Sequence, residues 1–244
     1  MAWLFLSLTA ALSTAAIDTL SKKFFSDFTA FEMGLIRLLY AAPYLLVGFI
    51  VVPRPELDAT FWTCLAVGLP LEVTALLCYM RAIKVSPLSL TLPFLAFTPA
   101  FVILTGYIFL GEVLTPWGIL GIALVVAGSY VLNVSHAREQ WLAPIFAIFR
   151  EQGSWLMLLT GFIFSFTATL GKVAILHSSP AFFGITYFLC LLVLLLLLFP
   201  AVPKAHAKNL AARPFPALIT GLAAAVMVFS HTTAISLVEA AYML

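Results

Sequence analysis

Charge is scarce in this sequence. Only 9% of its 244 residues are Asp, Glu, Lys or Arg, whereas an ordinary soluble domain carries about 25%. Apolar and aromatic residues make up 64% of the chain, which is more than one core can bury, because a folded domain of this size keeps a large exposed surface. The low charge therefore excludes an ordinary soluble protein, and lipid is the solvent that suits such a surface.

Cysteine pairs, catalytic motifs and clustered cations are also lacking. Cys64, Cys78 and Cys190 lie in apolar stretches and form no C-x-x-C pair, so they indicate neither a disulfide framework nor a zinc site. The sequence has no H-E-x-x-H, G-x-S-x-G or phosphate-loop motif, so we predict that the protein is not an enzyme and uses no metal or cofactor. Its net charge of +2, spread over scattered Lys and Arg, argues against a nucleic-acid partner.

Long apolar stretches take the place of these features. Each is roughly 20 residues long, the length that an α-helix needs to cross about 30 Å of hydrocarbon. Eight such stretches cover approximately residues 2–24, 30–52, 60–83, 88–110, 116–134, 154–176, 181–202 and 216–237. A ninth begins near Glu239 and stops at Leu244, too short to span. Because lipid cannot satisfy an open backbone, we predict an all-α, polytopic membrane helix bundle.

The two halves of the sequence resemble each other. Residues 19–22 align with residues 169–172 at an offset of 150 positions, as does Gly34 with Gly184, and Trp3 nearly aligns with Trp155. Residues 82–83 align with residues 234–235 at an offset of 152. Coincidence between apolar helices is the alternative, but the order of helices and loops also matches, which favours an internal repeat.

This offset predicts three parts. Residues 1–134 form a first repeat of five helices, residues 135–153 a linker, and residues 154–244 a second, incomplete repeat of three helices and the start of a fourth. An odd number of helices per repeat makes the two repeats inverted in the membrane, an arrangement that is common in secondary transporters. Counterparts of residues 93–133, about two helices by length, are absent from the second repeat. We therefore expect either a fragment or a chain that another chain completes.

A run of residues in the first repeat resembles a known family. These residues are Ala82-Ile83-Lys84-Val85-Ser86-Pro87, Pro93, Pro99, Leu110-Gly111-Glu112, Thr115, Gly118, Gly121 and Gly128, with Arg37 in the second helix. The run resembles the third-to-fifth-helix signature of EamA-type members of the drug/metabolite transporter superfamily. The resemblance implies a ten-helix permease, so this chain departs from the pattern by lacking the last two helices.

Four ionisable residues are the clear cases that fall well inside the apolar stretches: Asp18, Arg37, Glu72 and His231. Such residues are costly in the membrane and persist with a partner or a task. Counted along antiparallel helices from their shared end, the first three lie at similar depth. Glu72 or Asp18 could exchange a proton or pair with a polar substrate beside Arg37. The alternative is a structural ion pair, and Lys22, four residues after Asp18, could neutralise that carboxylate.

Aromatic residues supply candidate walls for a substrate pathway. His231 aligns with Tyr79 at the offset of 152, so the two residues are expected to line a cavity from opposite sides, or else His231 is hydrogen-bonded between packed helices. Most aromatics in such a chain contact lipid or the membrane interface. The candidates for the pathway wall are Trp3, Tyr79, Phe94, Phe97 and Trp155.

Two functions remain open from the sequence. One is a secondary transporter of small organic metabolites or drugs, with alternating access between inverted repeats and with protons as one option for coupling. The other is a non-transporting membrane subunit or lipid-handling partner that needs another chain to complete the bundle. For either function we expect a multi-pass protein in the bacterial inner (plasma) membrane, with the lipid bilayer, and for the transporter a small-molecule substrate, as its partners. The sequence leaves the oligomeric state open.

Two patterns disagree on orientation. The loops after the first, third, fifth and seventh helices carry nine Lys or Arg and the other loops carry two, which puts the N-terminus outside by the positive-inside rule. The resemblance implies an N-terminus inside.

Overall fold

The computed structural model describes residues 2–134 and 151–243, which form helices joined by short turns. The helices of the first part are α1 (Ala2–Phe25), α2 (Ala30–Val51), α3 (Ala59–Val85), α4 (Leu88–Leu95), α5 (Thr98–Leu110) and α6 (Pro116–Val134). Those of the second part are α7 (Gln152–Leu176), α8 (Pro180–Leu198), α9 (Ala207–Leu210), α10 (Pro214–Ile235) and α11 (Ala240–Met243). Most of the linker predicted at residues 135–153 lies outside the described residues.

The helices are long and apolar enough to cross a membrane. Within the described residues, seven segments meet both conditions: α1, α2, α3, the α4–α5 segment, α7, α8 with the short turn that follows it, and α10. The fifth predicted stretch, residues 116–134, also forms a helix, α6, whose apolar part is shorter, Pro116–Ser129. The prediction of an all-helical, polytopic membrane protein is confirmed.

Side-chain caps set several helix boundaries. Thr29 and Glu32 form a reciprocal capping box at the start of α2, in which each side chain satisfies a backbone N–H that the first turn leaves open. Asp58, Glu151 and Ser179 cap α3, α7 and α8 by accepting from the N–H three residues ahead. These polar residues at the ends of apolar runs explain why each helix begins where it does.

The fourth span is broken in the middle. The sequence predicts one helix over residues 88–110, but α4 ends at Leu95 and α5 begins at Thr98. Pro93 and Pro99 have no N–H to donate, so the carbonyls four residues before them, Ser89 O and Leu95 O, lose their helical donors. Hydroxyls bind carbonyls around the break: Thr98 donates to Leu95 O at 2.6 Å, and Ser129 of α6 donates to Pro93 O.

Contacts between turns define two ends of the bundle. We call face A the end formed by residues 26–29, 86–87, 151 and 199–213, and face B the end formed by residues 52–58, 111–115, 177–179 and 236–239. On face A, Arg213 makes a bidentate pair with Asp27, at 2.8 Å for both bonds. On face B, His177 Nδ1 lies 2.7 Å from Asp58 Oδ2. Lys22 therefore lies near face A, and Lys172 near face B.

Two long helix pairs form the centre of the bundle. α3 packs along α7, α1 packs along α10, and α2 and α8 lie against each other between these pairs. α2 and α10 approach each other closely at Gly221 of α10, where an added Cβ would lie 2.2 Å from the carbonyl carbon and oxygen of Tyr40 in α2. Only a glycine permits this crossing, because no other residue leaves the backbone of α2 that space.

Candidate functional site

Three of the four predicted ionisable residues come together inside the bundle. Asp18 in α1, Arg37 in α2 and Glu72 in α3 lie close enough for the Arg37 guanidinium to attract both carboxylates. Each carboxylate also has a tyrosine partner. We refer to Asp18, Arg37, Glu72, Tyr79 and Tyr187 as the polar cluster.

Asp18 is bound through one oxygen only. The Tyr79 hydroxyl donates to Asp18 Oδ2 at 2.6 Å, and both residues are almost fully buried, at 2% and 3% exposure. Oδ1 of Asp18 has no hydrogen-bond partner among the described residues. A buried carboxylate oxygen without a donor is costly, so this atom is available to a proton, a water molecule or a substrate.

Glu72 joins the two halves of the chain. The Thr167 hydroxyl of α7 lies near Glu72 and 3.4 Å from Phe164 O in its own helix, and the Tyr187 hydroxyl of α8 lies 3.5 Å from Glu72 Oε2. The same hydroxyl lies 3.1 Å from Gly68 O. Because a hydroxyl has one proton, Tyr187 can donate fully to only one of these acceptors at a time.

Arg37 is not locked into an ion pair. In the part of the chain that the structure describes, the pairs closer than 4 Å are Lys172–Glu112, His177–Asp58 and Arg213–Asp27, and none involves Arg37. Its Nε has no hydrogen-bond partner. The cluster thus holds a free donor on Arg37 and a free acceptor on Asp18, so the simple structural ion pair considered from the sequence does not describe it.

Lys22 does not neutralise Asp18, contrary to the alternative raised by their spacing. Its Nζ donates to the carbonyls of Ile83, Lys84 and Ser86, at 2.6, 3.0 and 3.0 Å. These carbonyls belong to the end of α3, where the last turn leaves acceptors open and the helix dipole favours a cation. Lys22 is therefore a C-terminal cap for α3.

The other predicted pathway residues are spread along the bundle. His231 is half-buried in α10, without a hydrogen-bond partner among the described residues. The ring of Tyr79 lies 6.3 Å from that of Phe164, and Phe94 stacks on Phe97 with centroids 6.5 Å apart. Trp3 is half-buried near face B, and Trp155 is 44% exposed near face A. The tryptophans thus lie near the two ends of the bundle, and a role for them in a pathway stays a prediction.

The sequence reasoning missed Tyr187 and Thr167. Both lie in apolar helices and neither carries a charge, so the search for intramembrane ionisable groups passed over them. The repeat offset held the clue for one of them: 187 less 150 is 37, so Tyr187 occupies the position equivalent to Arg37. The repeat thus points to the position, and the contact with Glu72 depends on packing.

Carboxylates outside the spans are held ionised by hydrogen bonds. The bond from Arg213 is the largest of the effects that lower the pKa of Asp27. The N–H of Phe61 lowers the pKa of Asp58 most, and His177 adds to this effect. These exposed pairs tie the turns of each face together and are separate from the polar cluster.

Comparison with known protein families identifies a match over the first part of the chain. A family model described as the EamA-like transporter family matches residues 1–134, the range predicted as the first repeat. No curated protein matches the chain.

Proposed function

Because the chain belongs to the EamA-like transporter family, we propose that it is a secondary transporter of small organic metabolites or drugs, coupled to protons through the polar cluster. Members of this family are transporters of the drug/metabolite type rather than enzymes. The seven apolar helices make the protein a multi-pass membrane protein. What the proposal adds is the substrate class, the coupling and the mechanism.

The polar cluster is the observation that carries the proposal. It places two carboxylates and one guanidinium within apolar spans, where each charge costs about 2.5 to 3.5 kcal/mol on insertion scales. A purely structural ion pair would satisfy its own hydrogen bonds, yet Asp18 Oδ1 and Arg37 Nε are both unpartnered. These free atoms suit a site that binds and releases a proton or a polar group.

Glu72 is the carboxylate best placed for coupling. Its hydroxyl neighbours, Thr167 and Tyr187, come from the second half of the chain, whereas Arg37 comes from the first. A change in the charge of Glu72 therefore changes contacts across the boundary between the halves. Such a change is what links proton binding to a movement of one half against the other.

The helix pairing supports alternating access between two inverted repeats. Under the predicted repeat, α1 corresponds to α7 and α3 corresponds to α10. The pair α1–α10 is therefore equivalent to the pair α7–α3. These are the two long pairs at the centre of the bundle. In alternating access between inverted repeats, each repeat adopts in turn the packing of the other, and two helix pairs related by the repeat allow this.

The test is substrate-driven proton movement in vesicles. Purified protein would be reconstituted with trapped pyranine, a pH-reporting dye, and screened against a panel of organic metabolites and drugs. We expect one or more compounds to move protons with the parent protein and Glu72→Gln to lose this flux with unchanged expression. Glu56→Gln is the matched control, since Glu56 is exposed on face B.

Two results would contradict the proposal. Proton flux that Glu72→Gln leaves intact would reject the role of this carboxylate in coupling. If neither proton flux nor labelled-compound uptake is found with the parent protein, with or without a pH gradient, the carrier function fails and a non-transporting subunit takes its place.

A further inference from the structure

Glu112, the acid of the Leu-Gly-Glu turn, has no part in the polar cluster and lies on face B. It directly follows Gly111, whose left-handed backbone (φ 66°) ends α5. Glu112 pairs with Lys172, with side-chain exposures of 15% and 11%. Its other oxygen accepts from the N–H of Ala240 at 3.0 Å, so it caps α11 rather than α6, the helix that directly follows it.

Lys172 also binds the turn that follows α10. In addition to Glu112, its Nζ donates to Val238 O at 2.6 Å, in the turn between α10 and α11. One lysine and one glutamate thus hold together the ends of α5, α7 and α10. Glu112 comes from the first half of the chain, and Lys172, Val238 and Ala240 from the second.

Face A has an equivalent lysine. Lys22 aligns with Lys172 at the offset of 150, and Ser86 aligns with Val238 at the offset of 152. Lys22 donates to Ser86 O at 3.0 Å as Lys172 donates to Val238 O. Lys22 makes no ion pair with any described residue, so the feature that the two faces share is the lysine-to-carbonyl contact.

We propose that the Lys172–Glu112 pair is a latch between the two halves, closed in this structure, that holds face B shut and breaks when face B opens. The latch rests on the proposed alternating access for its role in transport. The opening of face B on loss of the latch is a property of the protein alone.

The native thiol of Cys64 reports on this face. Cys64 lies in the first turns of α3, is 7% exposed, and belongs to the apolar cluster that includes Leu114, Ile235 and Ala240. Opening of face B separates these residues and exposes the sulfur. A shielded thiol that becomes accessible on opening is labelled at a rate that follows the open population.

The experiment measures maleimide labelling of Cys64 in detergent-purified protein with Cys78 and Cys190 changed to Ser. Lys172→Gln, Glu112→Gln and the double variant Lys172→Met/Glu112→Gln are compared with the parent. We expect each to label roughly five- to tenfold faster, in the range of typical couplings between two states. The double variant leaves no unpaired buried charge, so it keeps the test open if a single variant folds poorly.

Asp27→Asn is the control, because it breaks the Arg213 pair on face A and should leave the labelling of Cys64 unchanged. Unchanged labelling in the double variant, with a melting curve like the parent's, would overturn the latch. Equal acceleration by Asp27→Asn would also overturn it, since the effect would then be general loosening. If labelling rises as expected in a protein that moves no compound, the latch stands and the transport proposal fails alone.

Discussion

At the scale of single residues, hydroxyl groups define the polar cluster. Tyr79 comes from the first half and Tyr187 from the second, and each approaches one of the two intramembrane carboxylates. A hydroxyl is both donor and acceptor, so it can stay bonded to a carboxyl group before and after that group gains a proton. This property suits a site whose protonation changes during its cycle, and a lysine or arginine in the same place would lack it.

A single glycine sets the distance between α2 and α10. We predict that Gly221→Ala destabilises the protein by about 1–3 kcal/mol, since the new methyl group would overlap the backbone of Tyr40 and force the helices apart. Thermal unfolding in detergent measures this change. Gly121→Ala is the matched control, because an added Cβ there meets no atom within 4 Å.

A melting temperature of Gly221→Ala equal to the parent's would show that α2 and α10 are not in contact as described. The control should melt at or slightly above the parent, because alanine is the better residue in a helix.

Side-chain partners are what the sequence could not predict at this scale. Spacing along a helix suggested Lys22 as the partner of Asp18, and no spacing rule pointed to a partner for Lys172. Both lysines instead bind acceptors from elements distant in sequence. A lysine side chain can reach several helix ends, and only packing decides which of them is near.

At the scale of elements, the loop of residues 199–213 depends on one glutamate. Glu32 is fully buried and accepts from the backbone N–H of His206 and the amide of Asn209, both at 2.8 Å. Its second oxygen closes the capping box with Thr29. The start of α2 and the loop before α10 are therefore fixed by the same carboxylate.

We predict that Glu32→Gln loosens this loop. A glutamine keeps the volume but replaces one acceptor oxygen with an amide donor, which then faces two donors, at a cost of about 1–3 kcal/mol. Hydrogen exchange of residues 199–213 should become faster, while exchange at the start of α3 on face B stays unchanged. Unaltered exchange in the loop would contradict the role assigned to Glu32.

The sequence predicted where the long helices form, but it did not predict that the fourth one is interrupted. Length and hydropathy predicted each long helix to within a few residues, because the membrane imposes them. The break at Ala96 and Phe97 was not predicted, since prolines within a membrane helix can be accommodated by a kink. The hydroxyls of Thr98 and Ser129 make the full break tolerable here.

At the scale of the whole molecule, faces A and B lie on opposite sides of the membrane. Arg54 on face B and Lys208 on face A are both exposed. We predict that, with the native cysteines removed, an impermeant thiol reagent on intact cells labels only one of Arg54→Cys and Lys208→Cys. Labelling of both, or of neither after permeabilisation, would contradict the arrangement of spans.

The same experiment decides the orientation. Labelling at position 208 puts the N-terminus inside, as the family resemblance implies, and labelling at position 54 puts it outside, as the charge count implies. Part of that count is accounted for by structure, because Lys22, Lys84 and Arg213 bind carbonyls of neighbouring helices or turns. Cations with a structural task are weaker evidence of orientation.

The overall architecture was therefore predictable, whereas the relation between the halves stays a prediction. The helical bundle follows from hydropathy, and the family from residues 1–134. Counting residues from the shared ends of antiparallel helices predicted that Asp18, Arg37 and Glu72 lie at similar depth. Which oxygen is bound and which is free depends on rotamers, and a sequence does not contain them.

The broken fourth span has a consequence for biosynthesis. Until α6 arrives, Pro93 O has one donor, the N–H of Ala96 at 3.2 Å, and lacks the second bond from the Ser129 hydroxyl. Backbone polar groups that are poorly satisfied in lipid are costly, so the span of residues 88–110 is less well suited to leave the translocon alone. It gains this second bond only when α6 follows it, so we expect the translocon to release the two as a hairpin, with the Leu-Gly-Glu turn at its tip.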